Sequence, residues 1–236
     1  MRTLNILSID LDWFNYISET GIYQGEVSER VGDFFRKLSR RCTLPIKIAW
    51  MKEHQYLYPW TLRLLRSRKA KRVNVTNVDE HHDFYHLSEI DDFKSSDISC
   101  ADFFGFMVYD GILNSYDWVN NGMTHTNAQG VRDILNELDA SRDPKLKKWA
   151  DEQSFRLNVR SRSKVWEAVS GLVFDGVAII ESAEYTRSLT TVVRAAKKAL
   201  KDEGFDLKEH RCTADFRYSQ RKKIDMRPIF RVATMA

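Results

Sequence analysis

The sequence predicts an α/β fold, a single-domain three-layer sandwich with a mainly parallel central sheet. Three short apolar runs in the first third of the chain have the composition of buried strands, and two segments with apolar residues at helical spacing separate them. Alternation of this kind requires right-handed crossovers, which place successive strands parallel in one sheet. In such sheets, binding sites form at the carboxyl ends of the strands.

The first predicted strand spans residues 3–9 and is too apolar to have an exposed face, which is typical of a central strand. A helix is predicted over Val27–Cys42, where apolar residues recur every three or four positions. The second strand spans Pro45–Met51 and is followed by a basic helix over Thr61–Lys69. The third strand, Arg72–Val78, completes the alternating part of the chain.

The middle of the chain contains one ambiguous segment, one predicted loop and one predicted helix. Ser99–Tyr109 has the composition of a strand or of a short buried helix. Tyr116–Gly122 is predicted to be a loop that turns at its Asn-Gly pair. A helix is predicted over Asn127–Leu138, with Thr126 or Asn127 as its N-cap.

The last third of the chain is predicted to contain one strand and one helix. Residues 142–164 are polar and basic, and we expect a loop-rich excursion there. Leu172–Ile180 is predicted as a late strand with a break at Asp175-Gly176, and Ser188–Lys201 as a helix that ends before Gly204. Residues 205–236 contain no pattern that indicates chemistry.

Length and composition indicate one cytoplasmic domain covering residues 1–236. The chain has 43% hydrophobic residues, enough for a sizeable core, but no run of about 20 apolar residues that would span a membrane. Its N-terminus continues directly into a strand, unlike a secretory signal. The three cysteines, Cys42, Cys100 and Cys212, are widely spaced and are expected to be buried thiols rather than zinc ligands.

The formal net charge of +4 is mildly basic, and the surplus is concentrated in three runs, Arg63–Arg72, Arg156–Lys164 and Arg217–Lys223. Such runs can contact nucleic acid or an acidic partner. They are more often the solvated faces of helices and loops, and we favour that interpretation.

Acidic and imidazole side chains follow the predicted strands at two-residue spacing. Side chains on an extended backbone alternate between faces, so Asp79, His81 and Asp83 are expected to point the same way after the third strand. Asp10 and Asp12 repeat this pattern after the first strand, and His54 lies just beyond the second. Parallel topology gathers these six side chains at one edge of the sheet.

Four carboxylates and two imidazoles are a suitable ligand set for two neighbouring divalent cations, if one carboxylate of each motif bridges them. An oxygen-rich set with some imidazole favours manganese, iron or zinc. Two such ions can share a water and ionise it near neutral pH. The sequence therefore predicts a two-metal hydrolytic site.

The combination of Asp79-x-His81-x-Asp83, Asp10-x-Asp12 and a lone His54 resembles the metal set of the arginase (ureohydrolase) family. This resemblance implies an arginase-like fold and two Mn²⁺ ions, with hydrolysis of a guanidinium to urea. It further implies that Asp79 and Asp10 bridge the ions, that Asp83 and His54 complete one ion, and that His81 and Asp12 complete the other.

The order of the motifs departs from ordinary arginases, because the D-x-D motif comes first here. This order and the short chain are more similar to the peptide arginases, as are the fragments Ile9–Phe14, Asp79–Asp83 and Tyr116–Asn121. Those enzymes convert arginine side chains in ribosomally made precursor peptides to ornithine. The expected partner is therefore an arginine-containing precursor peptide, and no membrane or nucleic-acid partner is expected.

The same resemblance places a guanidinium-binding glutamate at the end of the late strand. That residue would be Glu181, with Glu184 in reserve, and charge-assisted hydrogen bonds would hold the guanidinium nitrogens. A nearby acid must protonate the departing amine, and His82, His86 and His125 are the candidates. If the strand continues, His82 alternates to the opposite face, where it would support the site by packing.

Three other functions compete with this one. A metal-dependent amidase or deacetylase would use the same chemistry but has no need of Glu181. A phosphatase similar to haloacid dehalogenases would use Asp10 and Asp12, but Phe14 stands where those enzymes usually have Thr or Val, and the D-x-H-x-D motif would have no role. A non-catalytic module that binds RNA or an acidic partner through the basic runs would bind no metal.

Overall fold

The computed structural model describes residues 2–19, 23–123, 126–153, 157–186, 189–210 and 216–220. Within these ranges, seven parallel strands form the central sheet: β1 (Thr3–Asp10), β2 (Lys47–Met51), β3 (Arg72–Val78), β5 (Leu113–Val119), β6 (Leu157–Arg160), β7 (Gly176–Ile180) and β8 (Asp206–His210). Their order is β6-β5-β3-β1-β7-β2-β8. Two short strands, β4 (Asp97–Ile98) and β9 (Phe216–Arg217), pair antiparallel apart from this sheet. The predicted α/β class is confirmed.

Helices cover both faces of the sheet, as a three-layer sandwich requires. The described α-helices are α1 (Asn15–Glu19), α2 (Gln24–Arg41), α3 (Leu57–Ser67), α4 (Phe103–Tyr109), α5 (Asn127–Ala140), α6 (Pro144–Gln153), α7 (Val165–Val169) and α8 (Leu189–Asp202). Residues from α3, α4, α5 and α6 pack on one face, and residues from α2, α7 and α8 pack on the other. None of the described helices is long and apolar enough to cross a membrane.

Strand β1 shows how alternation divides the core. Leu4 and Ile6 belong to the apolar cluster on the α3–α6 face, whereas Leu7 and Ile9 belong to the cluster on the α2–α8 face. Side chains two apart share a face. Ser8 and Asp10 therefore continue the α3–α6 face, which decides the side of the sheet on which the polar site lies.

Several predicted elements are confirmed with shifted ends. The ambiguous segment around residues 99–109 contains a helix, α4, and the late strand begins at Gly176, where the break was predicted. A Cβ at Gly176 would come within 2.6 Å of Leu64 and 2.7 Å of Trp60, so α3 can pack closely only on a glycine. The Thr126 hydroxyl accepts a hydrogen bond from the Gln129 amide, which makes Thr126 the N-cap of α5.

The prediction of a loop over Tyr116–Gly122 is wrong, because its first four residues belong to strand β5. Tyr116 and Trp118 are buried and alternate with the partly exposed Ser115 and Asp117, which is strand periodicity. The Asn-Gly signal marks only the turn that follows the strand.

The predicted loop-rich excursion over residues 142–164 is also wrong. It contains helix α6, which begins at Pro144, a favoured first helical position, and buries Leu146 and Trp149 one turn apart. It also contains the edge strand β6. Edge strands carry more polar residues than central ones, and this explains why neither β6 nor β8 was recognised in the sequence.

Candidate metal centre at the carboxyl ends of the strands

Six predicted ligand residues are brought together at the carboxyl ends of β1, β2 and β3. Asp10 is the last residue of β1, and Asp12 lies in the 3₁₀ helix Leu11–Phe14 that follows it. His54 begins a 3₁₀ helix just after β2, and Asp79, His81 and Asp83 follow β3. Strand β1 pairs with β3 on one side and with β7 on the other, and β7 also pairs with β2. This order brings the three strand ends to one place.

His54 lies at the centre of the first half of the cluster. Its Nδ1 is 3.1 Å from carboxylate oxygens of Asp10, Asp79 and Asp83. Neighbouring ligands in an octahedral shell are about 3 Å apart when the metal–ligand bonds are about 2.1 Å long. The spacing of these donors therefore fits a metal ion.

His81 and Asp12 form the second half of the cluster. The His81 Nδ1 lies 3.0 Å from Asp12 Oδ2. Single ligand atoms of Asp12, Asp79 and His81 all lie within 4.8 Å of one another, as do those of Asp10, His54 and Asp79. Asp79 belongs to both groups, which is the arrangement that a bridging carboxylate needs.

Polar residues on the strands orient the candidate ligands, and sequence reasoning missed them. The Ser8 hydroxyl is 2.9 Å from His54 Nε2, so a proton on Nε2 leaves the Nδ1 lone pair directed at the carboxylates. The Asn77 amide donates to Asp79 Oδ2 at 3.0 Å. Ser8 precedes Asp10 by two residues and Asn77 precedes Asp79 by two, so strand periodicity would have found both.

A third orienting residue comes from the loop after β7. The Ser182 hydroxyl donates a short hydrogen bond to Asp10 Oδ2. Ser182 has a φ of 40° and Asp83 a φ of 54°, a left-handed conformation that few residues other than glycine adopt. Strain of this kind persists where the surroundings enforce it, and here both residues contribute side chains to the cluster.

Burial and mutual repulsion of the carboxylates dominate the electrostatics of the cluster. Burial, followed by the charges of Asp83 and Asp10, raises the pKa of Asp79 to about 7. Burial is also the main cause of the raised pKa values of Asp12 and Asp83. Burial alone would lower the pKa of His81, but its hydrogen bond to Asp12 and the charge of Asp79 outweigh this effect and raise the pKa to about 10.

Burial and the neighbouring carboxylates disfavour the ionised form of Asp12 and Asp79. Within the described part of the chain, the ion-pair partners of the four aspartates are the two histidines. A divalent cation would stabilise all four aspartates in their ionised form. The residues present therefore fit a metal, and the donor set does not by itself identify which one.

The cluster forms the floor of a cavity of about 150 Å³. The six candidate ligands line it together with Tyr85, Cys100, Ala101, Ser182 and Tyr185. The side chain of His81 is 33% exposed, whereas those of Asp10, Asp12, His54, Asp79 and Asp83 are 7% exposed or less. Ligands therefore approach the cluster from the side of His81 and the two tyrosines.

No protein-family model, curated protein or solved structure matches this chain. The resemblance to the arginase family therefore stays a prediction that rests on the motifs and on the geometry above.

Glu181, the predicted guanidinium ligand, is not among the residues that line the cavity. Its Oε1 accepts a hydrogen bond from Trp50 Nε1 at 2.6 Å and lies 3.7 Å from Lys197 Nζ on α8. Both partners belong to the α2–α8 face, whereas the metal cluster lies on the other face. Glu184 is exposed to solvent. The structure does not bring either glutamate into the cluster.

The three candidate general acids have different surroundings. His82 is fully buried, and its Nδ1 accepts a hydrogen bond from the Phe84 amide at 3.1 Å. Its ring stacks on Tyr85 with 4.0 Å between centroids, so it supports a wall of the cavity. His86 is exposed and pairs with Glu89 at 3.0 Å. His125 lies outside the described residues.

Proposed function

We propose that this protein is a two-metal hydrolase that cleaves the guanidinium of an arginine side chain within a peptide, giving ornithine and urea. One observation carries the proposal, namely the buried cluster of four aspartates and two histidines at the floor of an aromatic-walled cavity. The motifs that build this cluster are those that resemble the arginase family.

Asp10, Asp79, Asp83 and His54 would hold one ion, and Asp10, Asp79, Asp12 and His81 the other. Oxygen-rich ligation with one imidazole per ion suits Mn²⁺, and iron or zinc can occupy similar sites. Two such ions lower the pKa of water so that hydroxide is available near neutral pH. The chain's own contribution is to fix the ligands, through Ser8 on His54, Asn77 on Asp79 and Ser182 on Asp10.

The charge and walls of the cavity favour a planar cation as substrate. The four carboxylates would balance the charge of two divalent ions, so a site that also held a hydroxide would have net negative charge, which would attract a guanidinium and repel a phosphate. Tyr85 and Tyr185 flank His81, with ring centroids 6.5 and 5.8 Å from it. Aromatic faces stabilise a guanidinium through cation–π contacts.

The lining of the cavity supports a peptide-bound arginine over the free amino acid. No lysine or arginine is found among the described lining residues, so none of them offers an ion pair to the α-carboxylate of free arginine. An arginine within a peptide has no such carboxylate.

The proposed reaction breaks one bond of the guanidinium. Water adds to the guanidinium carbon, and the bond from that carbon to Nε breaks, which releases urea and leaves the side-chain amine of ornithine. A protein acid must deliver one proton to that amine.

A metal-dependent amidase is the second candidate, and the position of Glu181 favours it. Glu181 Oε1 is bound to Trp50, and no glutamate is among the described residues that line the cavity, so none of the lining residues is a glutamate that could hold guanidinium nitrogens. Tyr85 also lines the cavity, and burial raises its pKa, so its hydroxyl stays protonated and could donate to an oxyanion.

Mass spectrometry of an arginine-containing peptide incubated with the protein and Mn²⁺ distinguishes the two candidates. Guanidinium hydrolysis predicts a mass loss of about 42 Da per arginine, the mass of CN₂H₂, with urea as the second product. The same peptide with the Asp79→Ala variant should stay unchanged, and free arginine serves as the second substrate. Unchanged arginine together with deacylation of an acetyl-lysine peptide would refute the arginase-like proposal and support the amidase.

A further inference from the structure

A second cavity, of about 270 Å³, lies on the α2–α8 face of the sheet, and the proposed chemistry does not use it. Its walls are aromatic and its rim is basic. Trp13, Tyr16, Phe34 and Trp166 supply the rings, while Arg30, Lys37 and Arg162 supply three cations against one acid, Asp33.

One face of helix α2 forms the basic side of this cavity. Arg30, Asp33, Phe34 and Lys37 are spaced as i, i+3, i+4 and i+7 and therefore lie along one stripe of the helix. Asp33 is already paired with Arg36, which lies outside the cavity lining, and Arg30 is paired with Glu26. Within the described ranges, neither Lys37 nor Arg162 forms an ion pair with an acid. The side chains of Lys37 and Arg162 can therefore pair with the carboxylates of an acidic ligand.

The cavity has one deeply buried ring in its inner wall and one cation at its mouth. Trp13 is 1% exposed, and its Nε1–H is too deeply buried to be reached by a ligand in the cavity. Arg162 stacks over Tyr16 with 3.9 Å from its Cζ to the ring, which holds one cation at the mouth of the cavity.

The cavity is connected to the metal site through a single short element. Asp12 and Trp13 are consecutive residues of the 3₁₀ helix Leu11–Phe14. Asp12 contacts His81 in the metal cluster, whereas Trp13 lines the second cavity. The two cavities therefore lie on opposite faces of the sheet and share this element at the carboxyl end of β1.

We propose that this cavity binds an acidic, aromatic-containing segment of a peptide, in which an apolar ring packs against the partly exposed rings of Tyr16 and Trp166 while flanking carboxylates meet Lys37 and Arg162. As a statement about the substrate, the inference rests on the proposed function, because the bound segment and the hydrolysed arginine would belong to the same peptide. A concave cavity that holds one or two side chains suits a peptide. A nucleic-acid strand requires a longer track of cations and stacking rings.

The direct test is binding of a fluorescein-labelled peptide of alternating Glu and Phe, without arginine, measured by fluorescence anisotropy in EDTA at physiological salt. The doubly charge-reversed variant Lys37→Glu/Arg162→Glu should weaken binding by about tenfold or more. The matched variant Arg66→Glu/Arg68→Glu, at exposed positions at the end of α3, makes the same change in net charge and should have less than about a twofold effect.

Steady-state kinetics distinguish a failure of this inference from a failure of the proposed function. If arginine in a peptide is hydrolysed, appending the Glu/Phe segment should lower KM with kcat unchanged, and Lys37→Glu/Arg162→Glu should remove that gain. Equal weakening by both charge-reversed variants, or no binding, would overturn the inference even if arginine is hydrolysed. A single-stranded oligonucleotide that displaces the peptide and binds more tightly would also overturn it. Specific peptide binding without arginine hydrolysis would refute the proposed function alone.

Discussion

Two polar clusters lie on the same sheet, and they differ in how their polar groups are satisfied. Towards the amino ends of the strands, the Asn74 amide donates to Asn5 at 3.0 Å and its oxygen accepts from Asn114 at 2.7 Å and from Ser115 at 2.8 Å. At the carboxyl ends, four aspartates surround two histidines, and burial raises the pKa values of Asp12, Asp79 and Asp83. Neutral amides satisfy one another, whereas a cation bound among crowded carboxylates would favour their ionised form.

The largest expected effect comes from removing one charge of the acidic cluster. Asp79→Asn should weaken Mn²⁺ binding by more than about 100-fold, since loss of outer partners alone can cost that much. Without metal, the same change should raise the melting temperature, by about 2–4 °C for each kcal/mol of repulsion that it relieves. Calorimetric titration with Mn²⁺ and thermal melts in EDTA measure the two effects. A lower melting temperature in EDTA would show that the repulsion is not the dominant cost.

The pH dependence of stability should differ with and without metal. The folded pKa of Asp79, about 7, lies above the unfolded value, so in EDTA its contribution to stability falls as pH rises from about 4 to about 7. The pKa of His81 is raised to about 10, so its favourable contribution is complete below about 6.5 and is lost as pH rises through 10. With Mn²⁺ bound, the carboxylates stay ionised, so the stabilisation by metal should grow with pH. Thermal melts across this range test it, and a stabilisation that shrinks with pH would contradict it.

A smaller effect is expected from Ser8→Ala, which removes the partner of His54 Nε2 but no candidate ligand. Metal affinity should fall by about 10- to 100-fold. Ser8→Thr keeps the hydroxyl and is the matched control. Equal affinity of Ser8→Ala and the unmodified protein would mean that packing alone orients His54.

The smallest effect on metal binding is expected at the neutral cluster. Asn74→Ala removes the hydrogen bonds that the Asn74 side chain forms with Asn5 Oδ1 and Asn114 Nδ2, and should cost about 1–3 kcal/mol of unfolding free energy. Its Mn²⁺ affinity should stay unchanged, because the Asn74 side chain contacts no candidate ligand. Urea unfolding and Mn²⁺ titration measure the two quantities. A change in affinity would show that the two clusters are coupled through the sheet.

The clustering of the six residues could be predicted from the sequence, because strand alternation places Asp10 and Asp79 on one face of the sheet and parallel topology gathers the strand ends. The extended backbone expected at Asp12 and Asp83 is absent, since Asp12 lies in a 3₁₀ helix and Asp83 has a φ of 54°. The orientation of Glu181 follows from the same alternation. Ala178 and Ile180 pack on the face of the metal cluster, so Glu181 points to Trp50 on the other face.

Other features depend on contacts that are distant in sequence. Ser182 reaches Asp10 only because the chain after β7 adopts a left-handed conformation at that residue, which no local pattern indicates. The strand β5 was missed because an Asn-Gly turn signal follows directly, and β6 and β8 because edge strands lack an apolar pattern. The second cavity combines residues from α1, α2 and α7 and has no signature along the chain.

The most direct test of the metal centre is the metal content of the protein after dialysis against Mn²⁺ and removal of loosely bound ions, measured by plasma mass spectrometry. The unmodified chain is predicted to retain about two ions, as expected if the six candidate ligands hold the proposed pair. Asp79→Ala, which removes a shared ligand, is predicted to retain none. Equal metal content in both proteins, or no metal in either, would contradict a metal centre at the carboxyl ends of the strands.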